Sequence, residues 1–170
     1  LFFANQIHRQ LLSEGKRSYL AEMNQFQSFE SAKEMVIFTS TYGLGDPPSN
    51  ANQFETLLQK FPQQNKIGYS VVGFGSKSYQ EFCAFALKVN DLLAKQSWAE
   101  PTTSIFTIND RSADEFATWA HVWSEKTLHP LATAPAVYNT KIPGLKKFIV
   151  TEKTMVSDEN FTFKIVLKPR

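Results

Sequence analysis

The segment MVIFTSTYGLGDPPSN, Met35–Asn50, joins a short apolar run to a loop that is rich in glycine and proline. The run Met35–Thr39 is brief and apolar, which is typical of a strand covered on both faces of a sheet. The loop that follows contains two glycines, an aspartate and two prolines, and it places Tyr42 near its tip. A plain connection needs none of these features, so we predict that this loop binds something.

On both sides of this segment, runs with strand character alternate with amphipathic runs of helical periodicity. This alternation predicts an α/β domain with a parallel sheet. The predicted strands are Ser18–Asn24, Met35–Thr39, Lys66–Gly75 and Ser104–Asp110, and the predicted helices run from Phe3 to Leu12, from an Asn50 cap to about Phe61, from Phe82 to Leu93 and from Ser112 to Leu131.

The character of the sequence changes after Leu131. Residues 132–145 contain two prolines and no periodicity, and we predict a linker there. Residues 146–170 have the pattern of two strands of a different, antiparallel domain. The predicted organisation is therefore an α/β domain over 1–131, a linker over 132–145 and the beginning of a second domain over 146–170.

Composition excludes several classes of function. The chain has 170 residues and a net charge of +2 with both signs interspersed, so we expect no nucleic acid partner. It contains no apolar run long enough to span a bilayer. A single cysteine, Cys83, excludes an internal disulfide and fits a reducing compartment. We therefore expect a cytoplasmic location, or the cytoplasmic side of a membrane if an anchor lies upstream. His8, His121 and His129 lack metal-ligand spacing, so we predict neither a metal site nor a catalytic residue.

Three loops follow predicted strands and should open at the same edge of the sheet, where open parallel sheets bind their ligands. They are STYGLGDPPSN, FGSKSYQEF and INDRSADEF. The first two each place one tyrosine, Tyr42 and Tyr79, close to glycines that let the backbone approach a ligand. Two aromatic rings with a slot between them suit a flat, conjugated ligand.

The first two loop motifs, together with the tryptophan-bearing last helix, resemble the FMN-binding domain of the diflavin reductases, over roughly residues 1–131. The resemblance implies a flavodoxin-like, doubly wound parallel sheet that binds FMN and passes single electrons to a haem or iron–sulfur acceptor. It also implies that residues 146–170 begin the FAD-binding part of an NADPH-dependent reductase, which would hold FAD and NADPH downstream. The FMN-binding residues carried over by position are Ser40, Thr41, Tyr42, Gly43, Gly45, Phe74, Gly75, Ser76, Tyr79, Phe82 and Asp110.

The chain departs from the family pattern at its start. The family's first strand and the phosphate-binding loop after it are absent, so we expect a sheet that lacks a middle strand and weakened cofactor binding. Two alternatives to the electron-transfer module stay open: a flavodoxin-like structural or partner-binding module that binds no flavin, and a free-standing flavodoxin carrier.

Overall fold

The computed structural model describes residues 2–139, 148–157 and 162–169. The chain divides into two compact units, Leu1–Asn139 and Thr140–Arg170. The division lies after Asn139, whereas the sequence-based domain boundary lies after Leu131. Residues 140–145 of the predicted linker lie outside the described residues.

The described part of the first unit contains a parallel sheet of four strands with helices on both faces. In chain order the elements are α1 (Phe2–Ser13), β1 (Glu34–Ser40), α2 (Phe54–Lys60), β2 (Ile67–Gly75), α3 (Ala84–Ala94), β3 (Ala99–Pro101), β4 (Phe106–Asn109) and α4 (Ala113–Thr127), with short 3-10 helices at Met23–Gln25 and Pro135–Tyr138. Strand β2 pairs with β1 along one edge and with β3 and then β4 along the other.

Two hydrophobic clusters, one on each face, hold the helices to the sheet. Helices α2 and α3 contribute Phe54 and Val89 to the first cluster, whereas α1 and α4 contribute Phe3 and Trp119 to the second. Strand β2 is buried along most of its length because both of its faces are covered. The predicted α/β class with a parallel sheet is confirmed, and Trp119 and Trp123 of α4 are buried in the second cluster.

The predicted strand over Ser18–Asn24 is wrong. Residues 16–22 have no regular structure, and a 3-10 helix follows at Met23–Gln25. Residues 16–23 and Glu34–Phe38 of β1 are among the residues that line a groove of about 730 Å³. A strand needs a neighbour that takes up its N–H and C=O groups. Among the described residues, no strand pairs with Ser18–Asn24.

The predicted cap at Asn50 is also wrong. Helix α2 begins at Phe54, residues 49–53 form turns, and the residue that precedes the helix, Gln53, makes no side-chain cap bond. Asn24 instead accepts a hydrogen bond from the Gln53 backbone N–H, so a residue distant in sequence fixes this turn.

The register of the sheet brings three strand ends together at one edge. Ser40 at the end of β1 lies opposite Phe74, and Gly75 at the end of β2 lies opposite Asn109 at the end of β4. The loops that follow these strands therefore start side by side, as the parallel arrangement predicted.

The second unit consists of an antiparallel pair, β5 (Phe148–Ser157) and β6 (Thr162–Pro169), interrupted by two register shifts. Seven large apolar side chains of the described pair are exposed: Ile149, Val150, Met155, Val156, Phe163, Ile165 and Leu167. The predicted antiparallel pair is confirmed.

No helix in the described ranges is both long enough and apolar enough to cross a membrane.

Candidate functional site

An open cleft of about 260 Å³ lies where the loops after β1 and β2 meet, at the carboxyl ends of the strands. Eight residues line it: Thr41, Tyr42, Gly43, Gly75, Ser76, Tyr79, Glu81 and Phe82. Seven of these eight are residues that the sequence predicted for the site, and Glu81 is the addition.

The first loop holds Tyr42 in a tight backbone turn. The Tyr42 N–H donates to the Asp46 carbonyl at 3.0 Å, and the Asp46 N–H donates back to the Tyr42 carbonyl at 2.8 Å. Gly43, within this turn, has φ of +51°, a conformation that side chains disfavour. A Cβ at Gly43 would also lie 3.1 Å from Asp46 Oδ2. The glycine therefore permits the turn that carries Tyr42.

Tyr42 and Tyr79 line the cleft, and other residues of the protein cover little of either side chain. Tyr42 is 61% exposed and Tyr79 is 70% exposed, although both line the same cleft. Large aromatic rings stabilise a protein most when they are buried. Their exposure in one cleft therefore leaves stacking surface available to a ligand.

Thr41 connects the first loop to α3. Its side-chain oxygen accepts a hydrogen bond from the Phe85 backbone N–H at 3.1 Å. The residue that precedes α3, Cys83, has left-handed backbone geometry and makes no cap bond, so the first N–H groups of the helix need an outside acceptor. Thr41 supplies one, and the contact fixes the Tyr42 loop against the segment that follows Tyr79.

The base of the cleft depends on close packing between β2 and the residues before α3. A Cβ at Gly75 would lie 3.1 Å from the Cys83 backbone nitrogen and 3.1 Å from a Phe82 ring carbon. The Cys83 thiol is buried below this point, and burial raises its pKa to about 11. Cys83 is therefore a packed thiol rather than a nucleophile.

Four predicted site residues lie outside the lining of the cleft. Ser40 is the last residue of β1, and Gly45 donates its N–H to the Tyr42 carbonyl in the turn below the ring. Phe74 has its ring in the core, stacked on Phe3 at a centroid distance of 5.0 Å. Its side chain belongs to the face that α1 and α4 cover, because successive strand residues point to opposite faces. Asp110 is exposed in the third loop, and its N–H donates to the Gly75 carbonyl at 2.8 Å.

Asn109 and Glu81 carry roles that sequence reasoning missed. The Asn109 Oδ1 accepts a hydrogen bond from the Lys77 backbone N–H at 2.8 Å and so joins the third loop to the second. Glu81 is the one carboxylate among the described residues that line the cleft. Because Glu81 follows Tyr79 by two residues, its place in the cleft could have been predicted. Nothing in the local sequence indicates that Asn109 joins the third loop to the second.

Comparison with known proteins finds a matching family profile and several similar proteins. The family profile described as flavodoxin matches residues 3–123. The inducible nitric oxide synthase of Cavia porcellus is 36% identical over 103 residues, which is 58% of this chain and 9% of that protein. The sulfite reductase [NADPH] flavoprotein alpha-component of Buchnera aphidicola is 25% identical over 138 residues, which is 80% of this chain and 22% of that protein. The chain thus spans less than half the length of these curated relatives.

A solved structure supports the fold independently. The flavodoxin from Streptococcus pneumonia TIGR4 superposes with a TM-score of 0.61 and 21% identity, covering 73% of this chain and 86% of that one. At this identity the likeness establishes the flavodoxin-like fold, and the cleft between the first two strand-end loops lies within the residues that the family profile matches.

Proposed function

The chain belongs to the flavodoxin family, and we propose on this premise that its first unit binds FMN between Tyr42 and Tyr79 and relays electrons. The observation that carries the proposal is the pair of exposed rings lining one cleft at the carboxyl ends of parallel strands. Bound FMN would supply the redox chemistry, since the flavin ring accepts and releases electrons.

The chemistry of the cleft fits a flat ring system. Exposed aromatic rings offer stacking on its faces. Backbone groups of Thr41 and Gly43, together with the Ser76 hydroxyl, offer hydrogen bonds to its polar edge. Gly43, at φ of +51°, permits the turn that carries Tyr42, and Gly75 permits the close packing of β2 on Cys83 and Phe82 at the base of the cleft. The chain's own residues thus bind and orient the ring and exclude water from its faces.

We propose that the electrons come from an FAD unit reduced by NADPH and that they pass to a haem or iron–sulfur acceptor. The relatives support this: one is a sulfite reductase [NADPH] flavoprotein and others are nitric oxide synthases. In this proposal residues 146–170 begin the FAD-binding domain. The exposed apolar side chains of β5 and β6 support it, because a two-stranded pair is marginally stable alone and needs further structure to cover it. The single buried cysteine agrees with the cytoplasmic location that we also propose.

The binding step is tested by titrating the 170-residue chain with FMN while following flavin fluorescence, which stacking on tyrosine quenches. We expect saturable quenching that is lost when Tyr42 and Tyr79 are both replaced by alanine. The control is the Tyr42→Phe, Tyr79→Phe pair, which keeps both rings.

A version with about fifteen to twenty-five more upstream residues, enough for a strand and a loop, extends the test. If neither version binds FMN, the proposal is wrong, and a structural or partner-binding module is the better reading. If FMN binds, reduction of cytochrome c in the presence of NADPH and a reductase domain then tests the relay. A holoprotein that accepts no electrons in that assay would contradict the relay and leave the binding step standing.

A further inference from the structure

The Tyr79 wall of the cleft is not held in place by packing of its own ring. Tyr79 is 70% exposed, so the position of its side chain follows the backbone of the turn Ser76–Tyr79. Within that turn the Tyr79 N–H donates to the Ser76 carbonyl at 3.0 Å, and the Ser76 and Ser78 hydroxyl oxygens lie 2.8 Å apart. These bonds define the shape of the turn, and they do not attach it to the sheet.

The attachment comes from Asn109. Its Oδ1 accepts from the Lys77 backbone N–H at 2.8 Å. In the described ranges, no other side chain from outside the turn bonds to the backbone of residues 76–79. Asn109 is the last residue of β4 and lies opposite Gly75 in the register, so it stands directly beside the start of the turn.

Asn109 is itself fixed on two sides. Its backbone N–H donates to Glu115 Oε2 at 2.6 Å, and its Nδ2 donates to Asp110 Oδ2 at 3.0 Å. Glu115 is held in the first turn of α4, where its N–H donates to the Ser112 hydroxyl oxygen at 3.2 Å. The Asp110 contact turns the Nδ2 side of the amide away from Lys77, which directs Oδ1 towards it. The Asn109 side-chain amide therefore attaches the exposed turn to β4 and to the start of α4.

From this arrangement we infer that Asn109 is a positioning residue: it acts through the Lys77 amide to hold Tyr79 in the orientation that a flat ligand needs. The part of this inference that concerns ligand affinity rests on the proposed function. Without the Asn109 acceptor, the turn can adopt other orientations, and a ligand that stacks on Tyr79 must first order it.

The first test needs no ligand. Amide hydrogen exchange at Lys77 is measured in wild type, Asn109→Ala, Asn109→Asp and Asn65→Ala. Asn65 is the matched control, because its side chain also bonds to a backbone group, the Glu30 carbonyl, away from the cleft. We expect Asn109→Ala to accelerate exchange at Lys77 at least tenfold without changing exchange in β4. Asn109→Asp keeps an acceptor oxygen but loses the Nδ2 donor beside the Asp110 carboxylate, so its exchange rate should lie between those of wild type and Asn109→Ala. Unchanged exchange at Lys77 in Asn109→Ala overturns the inference.

The second test is a double-mutant cycle with FMN as the probe. Loss of one hydrogen bond predicts that Asn109→Ala binds FMN about 3- to 10-fold more weakly than wild type. If Asn109 acts through Tyr79, the same change made in Tyr79→Ala has almost no further effect. An equal loss in both backgrounds overturns the inference. If no variant binds FMN, the proposed function fails, while accelerated exchange at Lys77 still supports the role of Asn109 in holding the turn.

Discussion

Replacing Tyr79 with alanine separates a ligand-binding role from a structural one, because the ring contributes little to the folded protein. With 70% of the side chain exposed, we expect the free energy of unfolding to change by no more than about 0.5 kcal/mol. Affinity for FMN should fall much further. For Tyr79→Ala we therefore expect weaker FMN binding with an almost unchanged free energy of unfolding.

The expected loss of affinity follows from the surface that Tyr79 has left to bury. A tyrosine buries about 200 Å² when fully covered, so a 70% exposed one retains about 140 Å². Stacking on one ring face covers about half of that, or about 70 Å², which corresponds to about 1.8 kcal/mol at 25 cal/mol per Å². The stacked geometry adds about 1 kcal/mol. Ordering the side chain on binding subtracts about the same amount. The net loss is about 2 kcal/mol, or about a 30-fold weaker dissociation constant.

The assay is titration with FMN by fluorescence quenching, with urea unfolding of the same samples. Tyr79→Phe keeps the ring and should bind within about threefold of wild type, because the stacking surface is unchanged. Tyr19→Ala is the matched control, since Tyr19 is also exposed, at 69%, and lies outside the cleft. If Tyr79→Ala binds FMN as tightly as Tyr19→Ala does, Tyr79 is not a stacking wall and the reasoning fails.

Three further predictions address other parts of the first unit. Thr41→Val removes the acceptor of the Phe85 N–H and should lower the free energy of unfolding by about 1 kcal/mol, as loss of a helix cap does; Thr41→Ser should restore it in urea unfolding, and equal stability of the valine variant would contradict this. Burial raises the pKa of Glu34 above 4.5, so the folded state favours the protonated form and loses stability as pH rises through that raised pKa. Glu34→Gln should therefore be more stable than wild type at pH 7, with an advantage that shrinks towards pH 4.5, and a pH-independent difference would refute the assignment. Cys83, with its pKa raised to about 11, should resist iodoacetamide at pH 8 until urea is added; stoichiometric labelling of the native protein would show that the thiol is accessible.

The parallel sheet was predictable because its strands are marked locally. Met35–Thr39 and Lys66–Gly75 are short apolar runs that end at glycine-containing loops, and both became strands paired in parallel. Ser18–Asn24 was predicted to be a strand from its alternation and did not become one. Periodicity reports which faces of a segment are apolar, whereas pairing depends on a neighbour that the local sequence does not reveal.

The cleft residues that lie within one loop could be predicted from the sequence of that loop alone. The glycines near Tyr42 and Tyr79 predicted tight turns at the strand ends, and both tyrosines line the cleft there. Phe74 looked equally well placed, but strand alternation turned its ring into the core. The bridge from Asn109 to Lys77 joins residues 32 apart in sequence, so its prediction requires the register of β4 on β2.

The tyrosine rings of the cleft and the hydrogen bonds that hold its loops depend on different interactions. This difference explains why the rings were easier to predict. The Tyr42 and Tyr79 rings contribute apolar surface that the fold leaves uncovered. A single tyrosine in a suitable loop is enough to provide such a surface. The placement of the rings depends on two hydrogen bonds between segments, which the Thr41 hydroxyl oxygen accepts from the Phe85 N–H and the Asn109 Oδ1 accepts from the Lys77 N–H. A substitution at a ring therefore removes binding surface, while a substitution at either polar residue leaves that surface intact and loosens its placement. Affinity for a flat ligand should thus respond to both kinds of change, and the response to the second should vanish once the ring it positions is gone.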